Sequence, residues 1–198
     1  MQTFTGKEQI EILSMKNLIK IHYEKAIKRL PKELGEFLFR HGIITGGISA
    51  SVQQGKTPND IDVYLKSKSA IDAFNSAIEN EVLVIMDCVK NVNPEYGLET
   101  KMKGKLVTAR ATTFECGIQV ITMSDMNVRE KFDFIHCMPW YDIEADKYYI
   151  SKSQYDSIVR KVIVPNPTPG ATVTTRHRLT KYIERGWTYN AEEVEELI

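Results

Sequence analysis

The segment Gly46-Gly47-Ile48-Ser49, followed after a short polar loop by Asn59-Asp60-Ile61-Asp62-Val63-Tyr64-Leu65, constrains this chain most. Asp60 and Asp62 are two residues apart in an otherwise apolar, β-branched run. On a β-strand their side chains leave from one face, about 6–7 Å apart along the backbone. Two carboxylates so placed can share a hard cation. The glycine pair upstream lets backbone approach a phosphate with no β-carbon in the way, and Ser49 in the following turn can add a hydroxyl donor. A glycine turn followed by an aspartate pair is the pattern expected of a magnesium-nucleotide site.

A second motif overlaps the same stretch. Ala50 to Thr57 (Ala-Ser-Val-Gln-Gln-Gly-Lys-Thr) fits the loosest form of a phosphate-binding loop, with alanine in place of the first glycine. Such a loop follows a strand and opens a helix at its Lys-Thr. Here Pro58 and Asn59 follow directly, then a strand-like run, so the phosphate-loop assignment fails. Lys56 is expected as a loop cation beside a triphosphate.

The glycine pair, the spacing of about ten residues and the alternating aspartates resemble the DNA polymerase β-like nucleotidyltransferase superfamily, with Ile43-Ile44-Thr45 as its apolar lead. Two later segments resemble the head domain of tRNA CCA-adding enzymes and bacterial poly(A) polymerases. One is Asp133-Phe134-Ile135-His136-Cys137-Met138-Pro139-Trp140-Tyr141-Asp142, similar to that family's Asp-Phe-Thr-x-Asn-Ala strand. The other is the hairpin strand ending Gly117-Ile118-Gln119-Val120-Ile121-Thr122. The resemblance runs from about Ile43 to Trp187. It closes with Ser153–Lys161 and with a basic helix, Arg176–Gly186, that carries Arg176, Arg178, Lys181 and Arg185.

Three departures bear on activity. The family's hairpin glutamate is Gln119, its nucleotide-contacting asparagine is Cys137, and its arginine pair before the aspartate is Lys131-Phe132. Gln119 cannot neutralise a metal, so Glu115 or Asp133 is expected to supply a third carboxylate if the hairpin brings one close. The acidic-x-x-Arg element of CCA-adding enzymes has no counterpart, which argues against CCA addition. The resemblance implies a Mg²⁺- or Mn²⁺-dependent transfer of a nucleoside monophosphate from an NTP to a hydroxyl on RNA, protein or a small molecule. Two divalent ions, held by Asp60 and Asp62, would lower the acceptor's pKa and stabilise the leaving pyrophosphate. The alternative is a degenerate member that binds nucleotide or RNA ends, or inhibits a partner, without catalysis. Nucleotide contacts are expected from Gly46, Gly47, Ser49, Lys56 and Arg176, with Arg110 and Lys131 as further cations.

The rest of the sequence sets bounds. A chain of 198 residues suits one domain with a sizeable core. It divides into N-terminal helices (1–42), a core sheet (43–152) and a helical C-terminal part (153–198). Its 26 basic and 26 acidic residues cancel, so any contact with nucleic acid or anionic membrane must be local. No apolar run approaches the roughly 20 residues of a membrane span. The three cysteines, Cys88, Cys116 and Cys137, lack metal-type spacing, which favours reduced thiols and a cytoplasmic location.

Periodicity predicts helices over Lys7–Leu30, Glu33–Arg40 and Ser69–Asn80. Strands are expected at Ile43–Thr45, Asp60–Leu65, Val82–Cys88, Leu106–Phe114 and Ile118–Met123. The order is α+β with a mixed sheet flanked by helices. His136 and Cys137, as neighbours on a strand, would face opposite ways and could not share an ion. Trp140, Tyr141, Tyr148 and Tyr149 fit a sheet core better than a base-stacking platform.

Overall fold

The computed structural model describes residues 3–91, 105–108, 110–122, 128–166 and 173–195. Thr5 opens the first helix, α1 (Gly6–Ile27), with a capping box. Its hydroxyl accepts from the Glu8 amide at 3.2 Å, and the Glu8 carboxylate accepts from the Thr5 amide at 2.9 Å. Met15, Ile19, Tyr23 and Ala26 form its buried stripe. Pro31 introduces α2 (Lys32–His41), which runs directly into β1 (Gly42–Thr45). A β-carbon on Gly42 would lie 2.5 Å from the Leu38 carbonyl oxygen, so only glycine allows so sharp a passage from helix to strand.

The order continues with α3 (Ile48–Gln53), β2 (Ile61–Leu65), α4 (Lys68–Glu79), α5 (Leu83–Met86), β3 (Ala111–Thr113) and β4 (Ile118–Ile121). After it come β5 (Trp140–Asp142), β6 (Lys147–Tyr149), α6 (Lys152–Arg160), β7 (Val162–Ile163), α7 (Val173–Glu184), β8 (Thr188–Tyr189) and α8 (Ala191–Glu195). Six strands form a mixed sheet in the order β3-β4-β2-β1-β5-β6, in which β2 and β4 run parallel and the other neighbours antiparallel. The fold is α+β with a mixed central sheet flanked by helices, as the sequence predicts. A separate parallel pair, β7-β8, ties α6 to the region of α7.

Four expectations are corrected. Val82–Cys88 is not a strand but contains the helical turn α5. Glu81 turns the chain with φ of +49°, and Leu83 and Val84 are exposed, with no strand paired to them among the described residues. Leu106–Phe114 is not one strand either: the Thr108 amide bonds to the Ala111 carbonyl at 2.8 Å and Val107 bridges Thr112, so the chain doubles back. Ser49 belongs to α3 rather than to a turn. His136 and Cys137 lie in a 3₁₀ turn (Ile135–Cys137), so the alternation assumed for a strand does not apply to them. The aromatic residues divide: Tyr141 is in the core, whereas Trp140 stacks between Tyr149, at 4.0 Å, and the Arg129 guanidinium, at 4.1 Å.

Candidate nucleotide-binding cleft

Strand β2 alternates as the sequence requires. Ile61, Val63 and Leu65 enter the core, while Asp62 and Tyr64 face outward. Asp60, immediately before the strand, faces the same way, and both aspartates line a cleft of about 310 Å³. Because β2 and β4 are parallel, Asp62 is in register with Gln119, which also lines the cleft. The amide nitrogen of Gln119 donates to the Thr113 hydroxyl at 2.9 Å. The position beside Asp62 is thus filled by a neutral, tethered side chain.

Asp60 and Asp62 have no hydrogen-bond or ion-pair partner among the described residues. Burial, and then the neighbouring Asp60 charge, raise the Asp62 carboxyl to about 6, with Arg178 and Lys181 partly offsetting the shift. A half-buried carboxylate beside a second one, neither neutralised by protein, fits a divalent cation. Mg²⁺ characteristically takes one or two carboxylates and fills its remaining positions with water and substrate phosphates. Among the described residues no group of three or more His, Cys, Asp and Glu side chains gathers around one point, so any ion depends on this pair.

The glycine turn forms the adjoining wall. Gly46 has φ of +95°, and its amide donates to the Cys137 carbonyl at 3.0 Å. A β-carbon there would lie 3.1 Å from an oxygen of Asp62. A β-carbon on Gly47 would meet the Tyr182 hydroxyl at 3.5 Å, so any larger side chain would grow into the cleft.

Helix α7 supplies the opposite wall. Arg178, Lys181 and Tyr182, with Arg185 just past its end, line the cleft at intervals of three and four, while Leu179 and Tyr182 anchor the helix against Ala50, Phe134, Ile163 and Trp187. Asp133 also reaches the cleft, but it accepts from Arg178 Nη1 and, at 3.0 Å, from the Thr175 hydroxyl. Cys137 also lines the cleft, 3.5 Å from the Tyr182 hydroxyl, and burial pushes its thiol up to about 11, well away from a reactive thiolate.

The predicted site residues fall into two groups. Asp60, Asp62, Gly46, Gly47 and Asp133 come together around the cleft. Ser49 lies fully buried on α3 and accepts from the Tyr148 hydroxyl at 2.8 Å, whereas Ser51, two residues on, lines the cleft. Glu115 occupies the exposed β3–β4 turn, and neither it nor Lys56, Arg110, Lys131 or Arg176 is among the lining residues. Arg176 is two positions from Arg178, roughly 200° around the helix, which places it on another face. The spacing of residues 178, 181, 182 and 185 is the sequence signal for the face that lines the cleft.

The match to a family model covers residues 15–161, and that family is described as Gabija anti-defense 2. The chain belongs to the Gabija anti-defense 2 family. No curated protein matches it in sequence. Among solved structures it is similar to the CCA-adding enzyme of Thermotoga maritima complexed with tRNA, at 14% identity and a TM-score of 0.50, covering 88% of this chain and 43% of that one. It is similar also to the Bacillus stearothermophilus CCA-adding enzyme in complex with CTP, at 12% identity and a TM-score of 0.50, covering 88% and 42%. The chain therefore spans less than half the length of these enzymes, and at such identity the likeness establishes the nucleotidyltransferase-like fold alone. The family match ends at Lys161, before α7. Among the described residues no helix is long and apolar enough to cross a membrane.

Proposed function

We propose that this member of the Gabija anti-defense 2 family acts as a metal-dependent nucleotidyltransferase, moving a nucleoside monophosphate from an NTP to a hydroxyl acceptor and thereby opposing the defence its family is named for. The observation that carries this reading is the pair of unpartnered carboxylates, Asp60 and Asp62, facing Arg178, Lys181 and Arg185 across one cleft. Asp60 and Asp62 would hold Mg²⁺ or Mn²⁺. When bound, the metal supplies charge neutralisation at the transferring phosphoryl group and activation of the acceptor hydroxyl. The α7 cations contact the outer phosphates, and the bare backbone at Gly46-Gly47 lets the triphosphate lie close to Asp62. The acceptor is RNA, a protein or a small molecule; an RNA acceptor is supported only by fold likeness to enzymes that bind tRNA.

Incubation with each of the four NTPs, labelled at the α-phosphate, with Mg²⁺ or Mn²⁺ tests the reading. Pyrophosphate release with label on an acceptor is expected. A second reading, a nucleotide-binding inhibitor without turnover, is favoured by Gln119 beside Asp62 and by the engagement of Asp133 with Arg178 and Thr175, which leaves two free carboxylates. NTP binding without pyrophosphate release in the parent, and turnover on Gln119→Glu, would establish that alternative. Turnover by the parent that survives both Glu115→Gln and Asp133→Asn would show that two carboxylates suffice.

A further inference from the structure

Helix α1 is apolar on two faces. Met15, Ile19, Tyr23 and Ala26 enter the core, yet on the opposite side Ile10, Leu13, Leu18 and Ile21 are 71%, 54%, 36% and 57% exposed. Isolated exposed apolar residues need no explanation, but four gathered on one stripe of a single helix do. Their order is symmetric. Lys7 corresponds to Glu24, Ile10 to Ile21, Leu13 to Leu18 and Ser14 to Asn17, each pair equidistant from a point between Met15 and Lys16. When two copies of such a helix lie antiparallel about a two-fold axis at that point, the members of each pair come to the same level. Ile10 of one copy then meets Ile21 of the other, and the Leu13 and Leu18 side chains close the centre over the small Ser14 and Asn17. Lys7 of each copy comes level with Glu24 of the other.

From this self-complementarity we infer that the outer face of α1 is a homodimer interface that takes a second copy of this chain in antiparallel orientation. The charges select the orientation. Lys7 and Glu24 are both exposed and have no ion-pair partner within the chain among the described residues. A parallel pair would set Lys7 against Lys7 and Glu24 against Glu24, whereas the antiparallel pair sets opposite charges level at both ends. A helix of 22 residues is about 33 Å long and roughly 10–12 Å across, so two paired helices alone hide on the order of 700 Å² in all, at the weak end of specific interfaces, and the pairing is expected to depend on concentration. The face lies on the helix side turned away from the sheet, and the Asp60–Asp62 cleft contains no α1 residue, so pairing leaves the cleft open.

Sedimentation velocity across micromolar concentrations is expected to give twice the mass of the single chain, and Ile21→Glu or Leu13→Lys is expected to return it to one copy with unchanged circular dichroism. Two different exposed positions guard against one variant failing to fold. Orientation is read by disulfide trapping. A mixture of Lys7→Cys and Glu24→Cys chains should cross-link between copies under mild oxidation, and either variant alone should not, because equivalent residues lie at opposite ends. A parent that is monomeric throughout the range overturns the inference and leaves the face to a different protein. A dimer that survives both charged substitutions overturns it too, as does trapping of either cysteine variant by itself.

Discussion

Two apolar clusters flank the cleft, and they are built differently. The larger joins α1, α2, α4 and the central strands through aliphatic side chains such as Ile19, Leu38, Ile44, Val63 and Ile118, and it fixes β2 on its inner face. The smaller contains Ala50, Phe134, Ile163, Leu179, Tyr182, Trp187 and Val194. It includes aromatic edges and surrounds a buried polar group, His136, which stacks on Phe134, meets Tyr182 edge-on and packs at a tilt against Trp187. Among the described residues neither imidazole nitrogen has a hydrogen-bond partner, and burial depresses the ring to about 3. The carboxylates therefore stand on the thicker cluster and the cations on the thinner one. Geometry at the carboxylate side is held by many redundant contacts, whereas the cation side depends on a few large rings.

The strongest way to break this contrast is at the carboxylates. Asp60→Asn or Asp62→Asn is expected to lower metal-dependent NTP affinity at least 100-fold in calorimetric titration, with the fold retained. Binding equal to the parent would place the site elsewhere.

The two clusters should also respond differently to truncation. Trp187→Ala is expected to cost about 3–5 kcal/mol and Leu38→Ala about 2–5 kcal/mol, since both remove fully packed side chains. Hydrogen exchange separates them. Trp187→Ala should release α7 amides selectively and weaken NTP binding, whereas Leu38→Ala should lower protection throughout the sheet and leave the affinity of the folded protein unchanged. Uniform loss in both variants would mean that the two clusters melt as one.

Acid should act on the two sides with opposite sign. Asp62 carries a raised pKa, so its ionisation opposes folding above about pH 6, and the penalty disappears as pH falls below the unfolded value near 4. In metal-free buffer at pH 8, Asp62→Asn should be more stable than the parent by about 1–3 kcal/mol, after allowance for its partial exposure to the cleft. The gain should vanish near pH 4. His136 has a lowered pKa, so it destabilises the fold as pH drops below 6.5, and His136→Phe should unfold at lower pH than the parent. Denaturant midpoints across pH 4–8 check both signs.

Least in size is the turn. Gly46→Ala should cost about 1–2 kcal/mol for its left-handed backbone and reduce NTP affinity severalfold by displacing Asp62, whose oxygen lies 3.1 Å from the new methyl position. An unchanged affinity with the same loss of stability would make the turn purely structural.

The carboxylate side was legible from sequence because everything it needs is local. A glycine turn and a period-two strand set the placement of Asp60 and Asp62 within twenty residues. The cation side was harder because its geometry depends on which face of α7 the β7–β8 pair and Trp187 turn toward the sheet. Arg176 and Arg178 look equivalent in the sequence, and tertiary packing decides between them. Ser49 was misplaced for a related reason: after Gly47 the chain enters α3 at once, which carries Ser49 inward to Tyr148 and leaves Ser51 at the cleft. The apolar run Val82–Cys88 has strand composition, but among the described residues no strand lies beside it to complete a ladder. Composition alone cannot supply that partner.

The parallel register that sets Gln119 beside Asp62 has a consequence at the level of the gene. Either glutamine codon becomes a glutamate codon by changing its first base, so one point mutation would give the cleft a third carboxylate. No rearrangement of the sheet is required, because Thr113 can donate its hydroxyl to a carboxylate as it now accepts from the amide. Codon 119 is therefore the shortest route by which the carboxylate content of this cleft could change, and deep mutational scanning of that codon would measure which side chain selection prefers.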